Sequence, residues 1–285
     1  MSLIQIAGRK RDIGGMEVRR VLPAPRCKMV GPFIFFDEMG PAVLKPPAML
    51  DVRPHPHIGL STLTYLFEGV IRHQDSLGED VEIRPGAVNW MTAGKGIVHS
   101  ERTPIALRDK PQPLHGLQTW LALPEDQAEI DPGFVHFAAE DIPTFAILDA
   151  EVTLVAGTAF DRRSPVPSYS PTCYLDVHLP GGAVFRLPEG HEELAVYPVT
   201  GSIEHNGEDV LDGVLSLAEA GDHIVAHSQN ARFVVVGGGR FEKTPMIWWN
   251  LVAYTDARME QARQDWESGA YANVPGDDER IPLPT

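Results

Sequence analysis

The chain has 285 residues, 43% of them hydrophobic, which is enough for one large domain or two of ordinary size with buried cores. A formal net charge of -15 repels phosphate backbones and argues against direct nucleic-acid binding, and no apolar run reaches the roughly 18 residues of a membrane-spanning helix. With only Cys27 and Cys173, and no apolar leader at the N-terminus, a disulfide framework is not expected and a reducing cytoplasmic compartment is.

The 26 glycines and 25 prolines make up about 18% of the chain, against roughly 12% in average usage, a balance that suits short strands joined by tight turns. In chain order, "GRKRD" and the following "VRR" form a basic cluster that reads as a solvated patch. "HPHIGLSTLTYLFEGVIRHQDSLG", from His55 to Gly78, opens with two histidines around a proline and continues into the alternating strand "STLTYLF". Further strands are predicted at "GAVNWMTAG", "LHGLQTWLAL", "AEVTLVAGTAF", "CYLDVHLPGGAVFRL", "HEELAVYPVTGSIEHNG" and "ARFVVVGGGRF", each bounded by turn-forming residues. Such spacing points to sandwiches or barrels. The stretches beginning "TYLFEG" and "LAVYPVTG" share a layout of strand, glycine turn and strand, which implies a duplication with its junction in about residues 124–143. One helix is predicted: Thr255 as N-cap of "DARMEQARQDWES", Met259, Ala262 and Trp266 on one face, and Gly269 as terminator.

In an extended strand, residues i and i+2 face the same way. His55 and His57 therefore converge if "HPH" is extended, and Pro56 favours that geometry. In "WMTAGKGIVHSE", His99 and Glu101 repeat the spacing behind a glycine-rich turn. On neighbouring antiparallel strands the two pairs would bring three imidazoles and one carboxylate to a point. That donor set suits iron, nickel, copper or zinc, whereas calcium and magnesium favour all-oxygen shells. Ser100 and His73 are candidates for supporting hydrogen bonds around the cage.

The stretches "VGPFIFFDEMGP", "RPHPHIGLSTLTYLFEG", "DSLG", "IRPGAVNWMTAGKGIVHSER" and "WWN" resemble the pirin family of bicupins. The resemblance is dense over residues 8–123 and looser through the C-terminal helix. It implies an all-β fold of two stacked cupin (jelly-roll) β-barrels with a C-terminal helix: a metal-binding barrel over residues 1–135 and a metal-free barrel over 136–285. Carried over by position, the ligands are His55, His57, His99 and Glu101, holding one divalent metal per chain. Fe(II) is the family expectation, and zinc, nickel, copper and manganese are compatible. The chain departs from the general cupin pattern at Ser61 and Thr62, where a glutamate ligand would stand, and from the pirin pattern at Glu38, where histidine is common.

The resemblance also implies a quercetin 2,3-dioxygenase-like oxidoreductase. Four protein ligands leave an octahedral ion two positions for a small flavonol-like aromatic substrate and dioxygen, with Glu101 as the catalytic base. Phe33, Phe35, Trp90 and Met91 are candidate linings of an aromatic pocket. The other reading is an iron-dependent redox sensor acting through a protein partner, to which an acidic chain would offer its charge. In the second half, "HEELAVYPVTG" corresponds by layout to the ligand-bearing strand and contains no paired histidines, so no second metal is expected there.

Overall fold

The alternating segments of the sequence form strands, as their β-rich composition requires. The computed structural model describes residues 3–13 and 15–284. "STLTYLF" lies in Leu60–Glu68, "GAVNWMTAG" contains Val88–Thr92, and "ARFVVVGGGRF" lies across Asn230–Gly238. The basic cluster is the exposed strand Arg9–Ile13, where Lys10 meets Glu17 at 2.7 Å in solvent. A pair so exposed contributes little to stability.

Two compact units are formed, and neither is contiguous in sequence. One comprises Met1–Arg9, Arg19–Phe36 and Glu140–Glu242, and the other Lys10–Val18, Asp37–Ala139 and Lys243–Thr285. The C-terminal helix is thus grouped with the residues of the first barrel and does not continue the 136–285 segment. The reason is burial: Ala262 of the helix packs with Ile58, Leu251 and Ala253, and Trp266 packs with Val98 and Val274. The helix α1, Asp256–Ser268, begins as its caps dictate: the Thr255 hydroxyl accepts from the Arg258 amide at 3.2 Å, and Gly269 closes the helix at φ 76°.

Each unit contains a large antiparallel sheet and a four-stranded sheet of the same plan. In the unit with the paired histidines the four-stranded order is Asp51–His57, Ile97–Arg102, Ile71–Asp75, Asp80–Ile83. In the other it is Val184–Arg186, His223–Ala226, Ile203–His205, Glu208–Val210. This corrects the alignment made from sequence: the counterpart of the "HPH" strand is Val184–Arg186, not "HEELAVYPVTG". Phe185 there lies opposite Ile224, and both are buried with Leu187, Val196 and Phe233 in one apolar cluster. Each such side chain stabilises the unit by about 1.5–3 kcal/mol when fully buried, and together they fill that barrel with hydrocarbon.

Candidate metal centre

Three adjacent strands build the site. Ile97–Arg102 runs antiparallel to Asp51–His57, placing His99 opposite His55 and Ile97 opposite His57. From His55 to Val52 one strand advances three residues while its partner advances two, from His99 to Glu101, so the histidine strand carries a bulge beside the site. On its other edge Ile97–Arg102 pairs with Ile71–Asp75, which sets Glu101 opposite His73 and His99 opposite Asp75. Two glycines make the approaches possible. Gly59, after "HPHI", has φ 67° and a Cβ there would lie 2.2 Å from the Val252 carbonyl oxygen. Gly94, before His99, has φ 50° and a Cβ would lie 2.0 Å from the Ile130 carbonyl oxygen. Only glycine fits such positions.

His55, His57 and His99 converge, with ring centroids 4.5 to 4.9 Å apart. Their ligating nitrogens all lie within 4.8 Å of one another. The Nδ1–H of His55 donates to the Arg53 carbonyl and that of His57 to the Asn250 carbonyl, both at 2.9 Å, so each Nε2 presents a lone pair. His57 Nε2 is 3.0 Å from His99 Nε2. Glu101 belongs to an adjoining group with His73 and His99, so His99 is common to both groups. Glu101 Oε1 lies 3.1 Å from the Thr64 hydroxyl, which also lies 2.7 Å from Gln118 Oε1 and, with one proton, donates to one of them at a time.

Burial dominates the electrostatics. Desolvation, opposed by the Arg53 carbonyl and reinforced by His73, lowers the pKa of His55 to about 4. Desolvation and the neighbouring imidazoles hold His57 and His99 well below the ordinary histidine range. Desolvation raises the pKa of Glu101, against the opposing pull of His73 and of the Thr64 hydrogen bond. Neutral imidazoles with facing lone pairs beside a buried carboxylate are a poor arrangement by themselves and a good one around a divalent transition metal. The donor set therefore fits such an ion, and a single one can be held there.

The other candidates divide. His73 is buried against the cluster, stacked at 4.4 Å and 16° on Phe134. Ser100 is buried, but strand alternation turns it to the face opposite His99 and Glu101, and its hydroxyl has no hydrogen-bond partner. Glu38 lies 3.1 Å from His115 Nε2 and joins neither metal-type group. Phe33 and Phe35 belong to the other unit, where Phe33 meets Tyr174 edge-on at 5.8 Å and the Arg20 guanidinium sits over Phe35. Trp90 and Met91 are fully buried core. The aromatic neighbours of the cluster are instead Phe134 and Trp120, whose ring meets His57 edge-on at 5.0 Å. Neither was singled out from sequence, because their approach depends on pairing between distant strands.

A cupin-type fold in two units, with a histidine cluster in one of them that could hold a metal ion, defines a bicupin. The chain belongs to the pirin family: residues 15–121 match the pirin model and residues 174–272 the pirin C-terminal cupin domain. It is 43% identical over 281 residues to a pirin-like protein of Caulobacter vibrioides, covering 97% of both chains. The crystal structure of quercetin 2,3-dioxygenase from Acinetobacter baumannii matches with a TM-score of 0.91 at 32% identity, covering 99% of this chain and 95% of that one. The bacterial pirin YhhW of Escherichia coli, solved in complex with nickel(II), shares the fold at a TM-score of 0.65 and 18% identity, covering 84% of this chain and 100% of that one. Among the described residues no helix is long and apolar enough to cross a membrane.

Proposed function

We propose that the chain is an iron-dependent dioxygenase that opens flavonols of the quercetin type, with His55, His57, His99 and Glu101 as metal ligands and Glu101 also as the base. The observation that carries this reading is the convergence of three neutral, buried imidazoles next to a carboxylate held above its ordinary range. The likeness to a quercetin 2,3-dioxygenase over almost the whole chain supports the substrate class. When bound, a divalent ion at this site would supply Lewis acidity toward a flavonol hydroxyl and redox chemistry toward dioxygen.

The residues of the chain do the rest. His55 and Glu101 keep 6% and 8% exposure, against 1% for His57 and His99, so substrate approaches from the side of His55 and Glu101. Glu101 takes the proton of the flavonol hydroxyl, and burial makes its carboxylate a stronger base than an exposed glutamate. Thr64 holds that carboxylate by its hydroxyl and can release it to Gln118 as the proton arrives. The edge of Trp120 and the surrounding core exclude water from the histidines.

Glu101→Gln tests the assignment, because glutamine keeps shape and a carbonyl oxygen but does not act as a carboxylate base. The variant should retain metal at least in part and lose on the order of 100-fold in oxygen uptake with quercetin. Undiminished uptake at full metal occupancy would refute the base role.

A further inference from the structure

A third dipeptide-spaced pair, His73 and Asp75, lies on Ile71–Asp75, the strand that flanks the His99 strand on the side away from His55. Both side chains are buried, at 3% and 0% exposure. Asp75 stands directly across from His99 in the sheet and His73 across from Glu101. His73 Nε2 is 3.1 Å from Asp75 Oδ2, and His73 Nδ1 is 3.4 Å from His99 Nδ1. The far oxygen of Asp75 is fixed independently, accepting the amides of Leu77 at 2.9 Å and Glu79 at 3.2 Å from the "DSLG" turn. Phe134, flat on the His73 ring, holds the plane of that imidazole.

We infer that Asp75 and His73 are positioning residues that set the tautomer of His99 and so aim its Nε2 lone pair at His55 and His57. The inference rests on the metal-site reading above and extends it to residues that hold no metal themselves. The logic is a chain of donors and acceptors. Asp75 already serves as an acceptor for two backbone amides, and with its other oxygen accepting as well, the proton of His73 lies on Nε2. Its Nδ1 is then a lone pair, and the facing nitrogen of His99 supplies the proton. With Nδ1 protonated, His99 leaves Nε2 bare on the side where His57 Nε2 stands at 3.0 Å. His55 and His57 obtain the same result from backbone carbonyls. His99 obtains it from a side-chain relay anchored in a turn, a carboxylate–imidazole support of the kind that commonly orients metal-ligating histidines.

The competing arrangement is that His73 is itself a ligand, since its nitrogen lies within 4.8 Å of the His99 and Glu101 donors. Two measurements separate the two. The first uses metal-free protein with ¹⁵N-labelled histidine and reads ring tautomers by NMR. Wild type should show His73 as the Nε2–H form and His99 as the Nδ1–H form. In Asp75→Asn the side-chain oxygen can still serve Leu77 and Glu79 while the amide donates to His73, so both tautomers should reverse. The second measurement is nickel(II) affinity by titration, with thermal unfolding as the check on folding. Asp75→Asn should bind roughly 10- to 100-fold more weakly. His73→Phe should weaken binding similarly, whereas His73→Asn, whose side-chain oxygen can accept the His99 proton, should recover most of the loss.

Unchanged tautomers in Asp75→Asn, or equal nickel loss in His73→Asn and His73→Phe, would overturn the inference. If the variants fail to fold, metal-free wild type decides alone: His99 found as the Nε2–H form would overturn it. Wild type that binds no nickel would defeat the metal-site reading, and the tautomers, read without metal, would still test the relay separately.

Discussion

Acidifying the metal-free protein should destabilise the histidine-bearing unit, and the sign follows from burial. The pKa of His55 is lowered from 6.5 to about 4 in the folded chain. Between those values the unfolded chain holds a proton that the folded chain does not, so stability is fully present above the unfolded pKa and falls as pH drops. The gap corresponds to roughly 3 kcal/mol for His55 alone, complete near its folded value. His57 and His99, held well below the usual range, act in the same direction and extend the loss to lower pH. Glu101 opposes them, because its raised pKa lets the folded chain take a proton first as pH falls, but it is one group against three. Urea unfolding of chelator-treated protein at about pH 7 and about pH 5, with His55→Gln alongside, measures the effect. Wild type should lose several kcal/mol over that interval and the variant less. A stability that is flat or rises on acidification would show that the imidazoles accept protons in the folded state, and would refute the neutral, metal-ready arrangement.

Other substitutions probe the scaffold and the chemistry. Gly94→Ala places a methyl group 2.0 Å from the Ile130 carbonyl oxygen at φ 50°, and should cost on the order of 2 kcal/mol or more in urea unfolding. Thr255→Ala removes the hydroxyl that caps α1 and should cost about 1 kcal/mol, read as a lower unfolding midpoint. His57→Ala removes an Nε2 from the centre of the cluster and should abolish metal binding and oxygen uptake together, whereas Glu101→Gln separates them.

The paired side chains of the cluster were legible in sequence because side-chain alternation is a local rule: "HPH" and "HSE" each fix two side chains on one face whatever the rest of the chain does. The helix was legible for the same reason, since Thr255 and Gly269 act within a turn of themselves. What escaped depends on register between distant strands. His73 and Asp75 have the same spacing as the other pairs, yet only the pairing of Ile71–Asp75 with Ile97–Arg102 brings Asp75 across from His99. Phe33 and Phe35 read as pocket linings from their apolar, aromatic character, but the chain passes through the other unit over Arg19–Phe36. Residues 243–285 return to the unit with the paired histidines because the apolar face of α1 is buried against Ile58 and Val98, a contact between segments far apart in the chain that no local pattern reveals.

The most direct test of the proposed chemistry is to measure metal content and oxygen uptake with quercetin on the same samples of iron-loaded wild type and His57→Ala. The account predicts close to one iron per wild-type chain with quercetin-dependent oxygen consumption, and neither in the variant. Wild type that carries a full complement of iron and consumes no oxygen with quercetin or related flavonols would contradict it, and would favour a regulatory role for the same site through a protein partner.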